Sequence, residues 1–498
     1  MTATERKRLT GLMAAAVVLL WAVWLPLAGS SNIRFDSDRM LYDPSTAMNQ
    51  YRSEGRAGLV WLLQFMGLDT WHPLLSGILF MLFFTGAGLV LCYSLYKITE
   101  GKWKTGYVLF FLLYGTCPIL AFHLYFTLQI APVGLGMLLA AAAAAVDIRM
   151  MIRPPKTVLQ IVWIPVSAAL LVLITSVYQS LIVYYAAALM ILLFCDSLTN
   201  HRRHSWPALF LLAGKILLAL FLYWSRSGLE EQTGGYSYIR YQVLWAREPV
   251  TECLKNIGIE YGKMMVPIHS ACMSVFPVAV CFLMIRMLRG KESGQVRWQG
   301  WMYVILLLLL PAGMSILEGN RTVPRTQFAL PLIAAFLLVF CGLEILKKKK
   351  PLSVLMVFCC AAVLVQAGLT LRLGHTDNER YRRDLETGEK ITADLAALDA
   401  EGKPLIFLGS LPFEEDSVLM EKRDVFGCSY FEWAYVPERP GSATYAAVRL
   451  LQAMNGKAYA ISPGMIGYAE EASSGAPAYP EDGYMIETDP VIIIKLSE

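Results

Sequence analysis

Apolar runs of about 18 or more residues recur along the first three-quarters of this chain, and they constrain its fold more than any other feature. A run of that length is long enough to cross the hydrocarbon core of a bilayer as one helix. Only 16% of the residues are charged, compared with roughly 25% in soluble domains. The sequence therefore predicts a polytopic α-helical membrane protein. The predicted spans, eleven in all, lie at residues 11–29, 73–96, 106–123, 130–146, 158–176, 179–196, 207–224, 270–287, 299–316, 327–346 and 352–371.

The Lys and Arg residues between the runs indicate the orientation, because short cytoplasmic loops carry an excess of both. If the N-terminus is cytoplasmic, the basic segments at 97–104 and 347–350 fall on the inner side. The short turns near 124–129 and 177–178 fall on the outer side and carry no Lys or Arg. An odd number of spans then places the C-terminus outside. We therefore expect a multi-pass protein of the cell membrane whose segment 372–498 is extracytoplasmic.

The last quarter of the chain mixes helical and strand patterns and predicts a small α/β domain over 372–498. The spacing of apolar residues predicts helices over 377–400 and 442–454, and strands over 405–409, 458–462 and 491–496. No phosphate-binding loop or nucleophile elbow occurs in it, so we expect this domain to shape or cap an active site. The chemistry is expected in a transmembrane catalytic domain, residues 1–371, with long outer loops at 30–72 and 225–269.

The outer loop after the first apolar run holds two carboxylates close to the membrane surface. Asp36 and Asp38 lie between Arg34 and Arg39, within a few residues of the end of that run. A carboxylate at the edge of the hydrocarbon can act as a base on a polar substrate that meets a lipid-borne partner. This pattern favours a membrane enzyme over a passive anchor.

Further polar residues fall at the outer ends of spans and in the outer loops, where charge near hydrocarbon is costly and usually functional. Arginine suits a phosphate group, because its planar guanidinium binds two oxygens at once and stays charged. For any single residue, the simpler interpretation is a solvated turn whose arginine reaches the interface. The candidate substrate-binding residues are Arg39, Arg56, His123, Gln129, Tyr178, Gln179, Arg321 and Arg325.

The sequence indicates no certain cofactor. Two aspartates without a fixed third ligand are a weak metal signal, which leaves a divalent metal open. No CxxC or HExxH spacing points to a zinc site. The net charge of +4 gives no indication of nucleic-acid binding, so the expected partners are a lipid bilayer and polar substrates.

Four short motifs occur in a characteristic order along the chain. They are Asp36-Ser37-Asp38-Arg39, Gly55-Arg56, Tyr178-Gln179 after a serine, and Gly427-Cys428-Ser429-Tyr430-Phe431-Glu432-Trp433. With this order the chain resembles the polytopic O-antigen glucosyltransferase II family, within the GT-C class of membrane glycosyltransferases. The acidic pair is split by Ser37, whereas adjacent acids are expected in many relatives. Which of Asp36 and Asp38 is essential therefore stays open.

The resemblance implies transfer of a sugar, glucose in this family, from a polyprenyl-phosphate carrier to a cell-envelope glycan on the outer face. An acceptor hydroxyl needs a base, and a lipid phosphate leaving group needs fixed cations. The implied roles are a general base at Asp36 or Asp38, phosphate binding by Arg321 and Arg325, and support from Arg39 and Arg56.

Two other classes of function are alternatives to the transferase. A transporter or flippase of a lipid-linked glycan would also use outer carboxylates and arginines. The long loop 30–72 and the lack of an evident internal repeat speak against it. A structural scaffold leaves the acidic and basic residues unexplained.

Overall fold

The computed structural model describes residues 2–35, 37–153, 157–232, 241–265, 283–284, 294–346, 352–398 and 402–497. It divides into two compact units. The first, which we call the helical unit, comprises Met1–Ser30 and Met48–Leu371. The second, which we call the α/β unit, comprises Ser31–Ala47 and Arg372–Glu498. The segment after the first apolar run thus belongs to the same unit as the C-terminal residues.

Apolar helices of membrane-spanning length confirm the polytopic fold. Within the described residues, eight helices are long and apolar enough to cross a membrane: Ala3–Ala28, Pro73–Ile98, Gly106–Leu124, Ile130–Ile152, Leu181–Thr199, Trp206–Ser225, Trp298–Glu318 and Leu355–Ala397. Two shorter apolar helices, Ile161–Val177 and Ala329–Glu344, coincide with two further predicted spans. The predicted span at 270–287 lies outside the described residues except for positions 283–284, and so does the basic segment 347–350.

The α-helices are numbered here along the described part of the chain. They are α1 (Ala3–Ala28), α2 (Arg39–Tyr42), α3 (Pro44–Ser53), α4 (Ala57–Phe65), α5 (Pro73–Ile98), α6 (Gly106–Gly115), α7 (Ala121–Leu124), α8 (Ile130–Ile152), α9 (Thr157–Val177), α10 (Leu181–Thr199), α11 (Trp206–Gln232), α12 (Val250–Met265), α13 (Gly294–Leu309), α14 (Gly313–Glu318), α15 (Ala329–Leu346), α16 (Leu352–Ala397), α17 (Thr444–Asn455) and α18 (Ile466–Ala472). Single 3₁₀ turns occur at Pro118–Leu120, Leu310–Ala312, Pro324–Thr326 and Pro463–Met465.

Glycines allow the membrane helices to pack at close range. A Cβ atom at Gly134 of α8 would lie 3.2 Å from the backbone of Phe80 in α5. A Cβ atom at Gly58 of α4 would lie 2.2 Å from the Ser176 hydroxyl oxygen in α9. Small residues are the usual means of close helix approach in a bilayer, where packing rather than hydrophobic burial drives association. The position of α4 against α9 therefore depends on the missing side chain at Gly58.

The predicted span at 106–123 is broken near its end. Helix α6 ends at Gly115, and Pro118 then begins a 3₁₀ turn that leads into the short helix α7. Proline cannot donate the helical hydrogen bond and clashes with the preceding turn, so a break is expected there. The Trp24 indole donates a 2.7 Å hydrogen bond to the carbonyl of Gly115, which satisfies one acceptor at the break. The break separates α7 from α6 by the 3₁₀ turn within one candidate span, Gly106–Leu124.

Two buried ionisable clusters join membrane helices to one another. The Asp147 carboxylate of α8 accepts hydrogen bonds from Lys215 at 2.5 Å and from Tyr185 at 2.5 Å. The His204 ring lies between Asp196, at 3.1 Å, and the Tyr303 hydroxyl, at 2.7 Å. Buried charges are tolerated when they are paired and hydrogen-bonded, and both clusters meet that condition. They fix α8, α10, α11 and α13 in register.

A three-stranded sheet forms the centre of the α/β unit. Its strands are β1 (Leu405–Leu408), β2 (Met485–Glu487) and β3 (Ile492–Lys495), in the order β1-β3-β2. The pair β1–β3 is parallel, with Leu405 opposite Ile492, and the pair β2–β3 is antiparallel. The core beneath the sheet consists of Ile406, Leu408, Ala469, Val491 and Ile493.

The α/β unit departs from the sequence expectation in three places. The strand expected over 458–462 is reduced to one bridge, between Ile461 and Leu405, because Pro463 begins a 3₁₀ turn there and lacks an N–H for further pairing. Strand β2 was not predicted. The helix expected over 377–400 is the continuation of the last span, since α16 runs unbroken for 46 residues and the boundary between the units falls within it.

Candidate functional site

His123, on the short helix α7, lies at the centre of a cluster of polar and aromatic side chains in the helical unit. Its side chain is 1% exposed, and its ring packs edge-on against the rings of Tyr178 and Phe328, with centroids 5.0 Å away in both cases. Neither ring nitrogen has a hydrogen-bond partner among the described residues. A buried polar group without a partner is costly and rare, so these nitrogens point to a group that binds here.

Arg56, in the turn between α3 and α4, supplies the first cation of the cluster. Its Nη1 donates a 3.2 Å hydrogen bond to the Gln129 side-chain oxygen and lies 3.2 Å from a carboxylate oxygen of Glu54. Its guanidinium carbon lies 5.0 Å from the centre of the Tyr178 ring. Burial alone would lower the pKa of Arg56, but the Glu54 carboxylate and three nearby tyrosines, Tyr178, Tyr51 and Tyr223, together raise it. The guanidinium therefore remains a fixed cation.

Arg325 supplies the second cation. It belongs to the 3₁₀ turn Pro324–Thr326, which packs against α7. Its guanidinium carbon lies 4.5 Å from the centre of the Phe126 ring, so the cation rests on an aromatic face. Both guanidiniums act electrostatically on the His123 ring. We call Arg56, His123, Gln129, Tyr178 and Arg325 the cationic cluster.

The chain before α12, and α12 itself, hold the turn that carries Arg325. The Trp245 indole donates to the carbonyl of Ile316 at 2.8 Å, and the Gln327 amide donates to the Glu260 carboxylate at 2.6 Å. Gly319 adopts the left-handed conformation, with φ +67°, at the end of α14. Glycine adopts this conformation without strain. Gly319 and the two hydrogen bonds therefore fix the conformation of the turn.

The remaining predicted residues of the helical unit lie at the edge of the cationic cluster or away from it. Gln179 follows Tyr178 in the chain, and its amide donates a 2.8 Å hydrogen bond to the Tyr223 hydroxyl of α11. Arg321 is exposed and donates from Nε to the Asn256 side-chain oxygen at 3.3 Å. The structure thus brings five of the predicted residues together and leaves Arg321 on the exposed side of its turn.

In the α/β unit, Asp38 is fully buried and paired with a cation. Arg449 of α17 places Nε 3.0 Å from Asp38 Oδ2. Tyr42, at the end of α2, is half-buried, and burial together with the Asp38 carboxylate raises its pKa to about 12. The Tyr42 phenol is therefore neutral at ordinary pH. Arg39 begins α2 and is partly exposed. Asp36 lies outside the described residues.

An ion-pair network fixes the chain just before Asp38. The Arg34 guanidinium contacts the Asp377 carboxylate at 2.9 Å, and Arg380 bridges from Asp377, at 3.1 Å, to Asp384, at 2.7 Å. The Ser429 hydroxyl donates to Asp384 at 2.5 Å. All of these side chains are buried. The network ties residues 31–38 to the polar half of α16 and to the motif at 427–433.

The aromatic residues of that motif pack on the same segment. The ring of Phe35 stacks on Trp433 with centroids 4.3 Å apart, and it meets Tyr430 edge-on at 4.7 Å. The motif that carried part of the family resemblance thus supports the chain around Asp38 from within the α/β unit. This is a structural role, and it accounts for the serine and for two of the three large aromatic residues of the motif, Tyr430 and Trp433.

The described residues hold no group of three or more His, Cys, Asp or Glu side chains arranged to bind a metal ion. In the helical unit the polar groups of the cationic cluster are donors and cations, which suit an anion. In the α/β unit the carboxylates of Asp38, Asp377 and Asp384 are each bound by arginine.

Apolar helices of spanning length define a polytopic membrane protein, and its helical unit gathers two partly buried arginines around a buried histidine. Residues 27–342 match the family described as Glucosyl transferase GtrII. The match covers more than half of the chain, so the protein belongs to that family. Comparison with curated proteins and with solved structures gave no significant match. Membership implies a glucosyltransferase that acts on a cell-envelope glycan, as the resemblance in the sequence predicted.

Proposed function

We propose that this glucosyltransferase moves glucose from a polyprenyl-phosphate donor to a cell-envelope glycan on the outer face of the membrane. The observation that carries the proposal is the cationic cluster. Two fixed guanidiniums, Arg56 and Arg325, flank a buried histidine whose nitrogens have no partner among the described residues. A phosphate attached to a lipid matches such a cluster at the end of apolar helices, because its head is an anion and its tail is hydrocarbon.

The cluster is suited to the leaving group of the reaction. As the bond between the sugar and the phosphate breaks, negative charge grows on the phosphate oxygen, and fixed cations stabilise that charge. Gln129 and the Tyr178 ring hold Arg56, and the Phe126 ring supports Arg325, so little reorganisation is needed when the charge develops. Arg321, exposed on the same turn as Arg325, and Arg39 are proposed to attract the anionic donor at longer range.

The base of the reaction is proposed to be Asp36 or Asp38. Its carboxylate takes the proton of the acceptor hydroxyl while the hydroxyl oxygen bonds to C1 of the sugar. The bond from C1 to the phosphate oxygen breaks, and its electron pair remains on the phosphate. The products are the glycosylated acceptor, the polyprenyl phosphate and a protonated aspartate, which returns its proton to water. General-base assistance of this kind contributes on the order of 10²–10⁴-fold.

The outer-face assignment is supported by the distribution of Lys and Arg between the spans. With the N-terminus in the cytoplasm, the α/β unit is extracytoplasmic, on the side where an envelope glycan is assembled. We propose that this unit shapes acceptor binding.

The proposal is tested with isolated membranes that contain the full chain and with polyprenyl phosphate carrying radiolabelled glucose. Transfer of the label to the envelope glycan is expected, with release of polyprenyl phosphate. Mass analysis of the glycan from cells with and without the gene provides the complementary result, which is the loss of one hexose per repeat. Loss of the entire surface polymer without any label transfer would instead indicate a transporter of the lipid-linked glycan.

A further inference from the structure

We propose that Arg449 is a positioning residue that fixes the Asp38 carboxylate for the base step. This inference rests on the proposed function, in which Asp38 is one of the two candidate bases. The family match ends at residue 342, so Arg449 belongs to the part of the chain about which the match says nothing.

The contact is direct and buried on the aspartate side. Nε of Arg449 lies 3.0 Å from Asp38 Oδ2, and the Asp38 side chain is fully buried while that of Arg449 is 18% exposed. A buried carboxylate is stable as an anion only where a cation or several donors compensate for the lost hydration. In the described part of the α/β unit, Arg449 provides a compensating positive charge for Asp38. It belongs to α17, which is distant from Asp38 in the sequence.

Helix α17 holds Arg449 in a fixed place. The Thr444 hydroxyl at the start of α17 accepts from the backbone N–H of Phe407 at 3.0 Å and lies 3.1 Å from the carbonyl oxygen of the same residue. The residues beside Arg449, namely Val448, Leu450 and Leu451, are buried. The helix therefore rests on β1, and the guanidinium is presented from a rigid support.

The backbone around Asp38 is fixed as well. Its carbonyl accepts from the N–H of Leu41 at 3.0 Å, and the N–H of Ser37 donates to the carbonyl of Arg34 at 2.9 Å. The ion pair of Arg34 with Asp377 anchors the start of this turn. Both partners of the contact between Arg449 and Asp38 are thus held by independent structure, which is what precise positioning requires.

The charged and titratable groups that the described residues bring near Asp38 and Tyr42 include Arg39 and Asp43, at the two ends of α2, and Arg449 of α17. Tyr42 is neutral at ordinary pH, so it cannot replace the cation. Loss of the guanidinium disfavours the anionic form of a buried carboxylate, so the base would be protonated up to a higher pH. The rate of transfer would then fall at neutral pH and recover as the pH rises.

The test compares Arg449→Gln with Arg449→Lys in membranes that contain the full chain. Glucose transfer from polyprenyl phosphate is measured between pH 5 and pH 9 and normalised to the amount of protein. Arg439→Gln is the matched control, since Arg439 is an exposed arginine of the same unit. We expect Arg449→Gln to lose about tenfold or more at pH 7 and to move the acid limb of the rate profile to higher pH. Arg449→Lys keeps the charge and should keep the limb in place at a reduced rate.

An equal loss at every pH in Arg449→Gln, with the acid limb unmoved, would assign Arg449 a purely structural role and overturn the inference. The parent rate in Arg449→Gln would overturn it as well. If Arg449→Gln fails to accumulate, Arg449→Lys decides, because an acid limb displaced in spite of the retained charge contradicts the role proposed here. Absence of transfer by the parent chain would be a failure of the proposed function itself, and the two failures are therefore distinguishable.

Discussion

At the scale of single residues, His123 is the side chain whose environment is hardest to explain by folding alone. Its nitrogens are buried and have no partner among the described residues, while aromatic rings pack on it from two sides. Replacing such a group with an apolar one of similar shape is nearly neutral or stabilising. If His123 served folding, its replacement would lower the stability of the protein. If it serves binding, its replacement should lower the activity instead.

His123→Phe should therefore keep or raise the melting temperature and lower the transfer of glucose. The phenyl ring preserves the packing against Tyr178 and Phe328 but removes both nitrogens from the cationic cluster. Thermal unfolding in detergent and label transfer in membranes are the two measurements. A variant with parent activity would remove His123 from the proposed phosphate site.

The two arginines of the cluster make a second prediction at this scale. Arg56→Lys and Arg325→Lys keep a positive charge but lose the planar fork, so we expect a raised KM for the polyprenyl-phosphate donor. Arg52→Lys is the control, because Arg52 is an exposed arginine of α3 that bonds to Asn49. Unchanged donor KM values in both cluster variants would place phosphate binding elsewhere.

The third prediction at this scale concerns the two aspartates of the outer loop, Asp36 and Asp38. Asparagine keeps the size and shape of aspartate but cannot take a proton, so Asp36→Asn or Asp38→Asn should lose on the order of 10²–10⁴-fold in turnover. The other variant should be affected less. Asp38→Asn also removes the buried anion that pairs with Arg449, so the melting temperature of this variant should fall. Normalising activity to the amount of folded protein separates the loss of stability from the loss of turnover. Parent turnover in both variants would exclude this loop as the source of the base.

At the scale of elements, much of the architecture was predictable because long apolar runs and helical periodicity are local signals. The turn between α9 and α10, near residues 177–180, lies at the position predicted from the sequence. Arg56, His123 and Arg325 were predicted one at a time, but their meeting depends on the break at Pro118 and on the close approach permitted by Gly58. Those are tertiary consequences that no spacing in the sequence encodes.

The acidic and basic residues of α16 carry a local sequence signal for ion pairing along one helical face. Asp377, Arg380 and Asp384 are spaced to share one helical face, which indicates an ion-paired stripe. Their buried partner Arg34, however, lies at the far end of the sequence. The pairing of Arg449 with Asp38 is likewise non-local, and composition alone gives no hint of it.

The approach of α4 to α9 yields a prediction at this scale. Gly58→Ala introduces a Cβ atom 2.2 Å from the Ser176 oxygen and 3.1 Å from the carbonyl oxygen of Leu173. The helices must separate, at a cost of about 1–3 kcal/mol, and Arg56 and Tyr178 lie next to the contact. We expect lower thermal stability and lower transfer activity. Gly214→Ala in α11 is the control, since its Cβ would meet nothing within 4 Å.

At the scale of the whole molecule, the grouping of residues 31–47 with the C-terminal unit changes what that unit is expected to do. A chain that ends at Arg372 keeps the spanning helices but removes Asp377, Arg380 and Arg449, the partners of the segment around Asp38. It should insert into the membrane and transfer no glucose, as measured by membrane fractionation and label transfer. Full activity on the native glycan would show that the α/β unit is dispensable.

The proposed function requires the α/β unit to lie on the outer face of the membrane, and that orientation is a prediction at the scale of the whole molecule. The charge bias predicts that the α/β unit is outside and that the loop around Arg203 is inside. Val418 is 88% exposed in the α/β unit, and Arg203 is exposed in the loop between α10 and α11. Each is therefore a suitable position for a single new cysteine and a membrane-impermeant maleimide.

Val418→Cys should react on intact cells, and Arg203→Cys should react only after lysis, with the parent chain as the blank for native cysteines. The physical reason is that the cytoplasmic side retains short loops rich in Lys and Arg during insertion. The reverse pattern would put Asp38 in the cytoplasm together with its whole unit. An outer glycan would then be out of reach of the proposed base, and the donor would have to be used on the inner face.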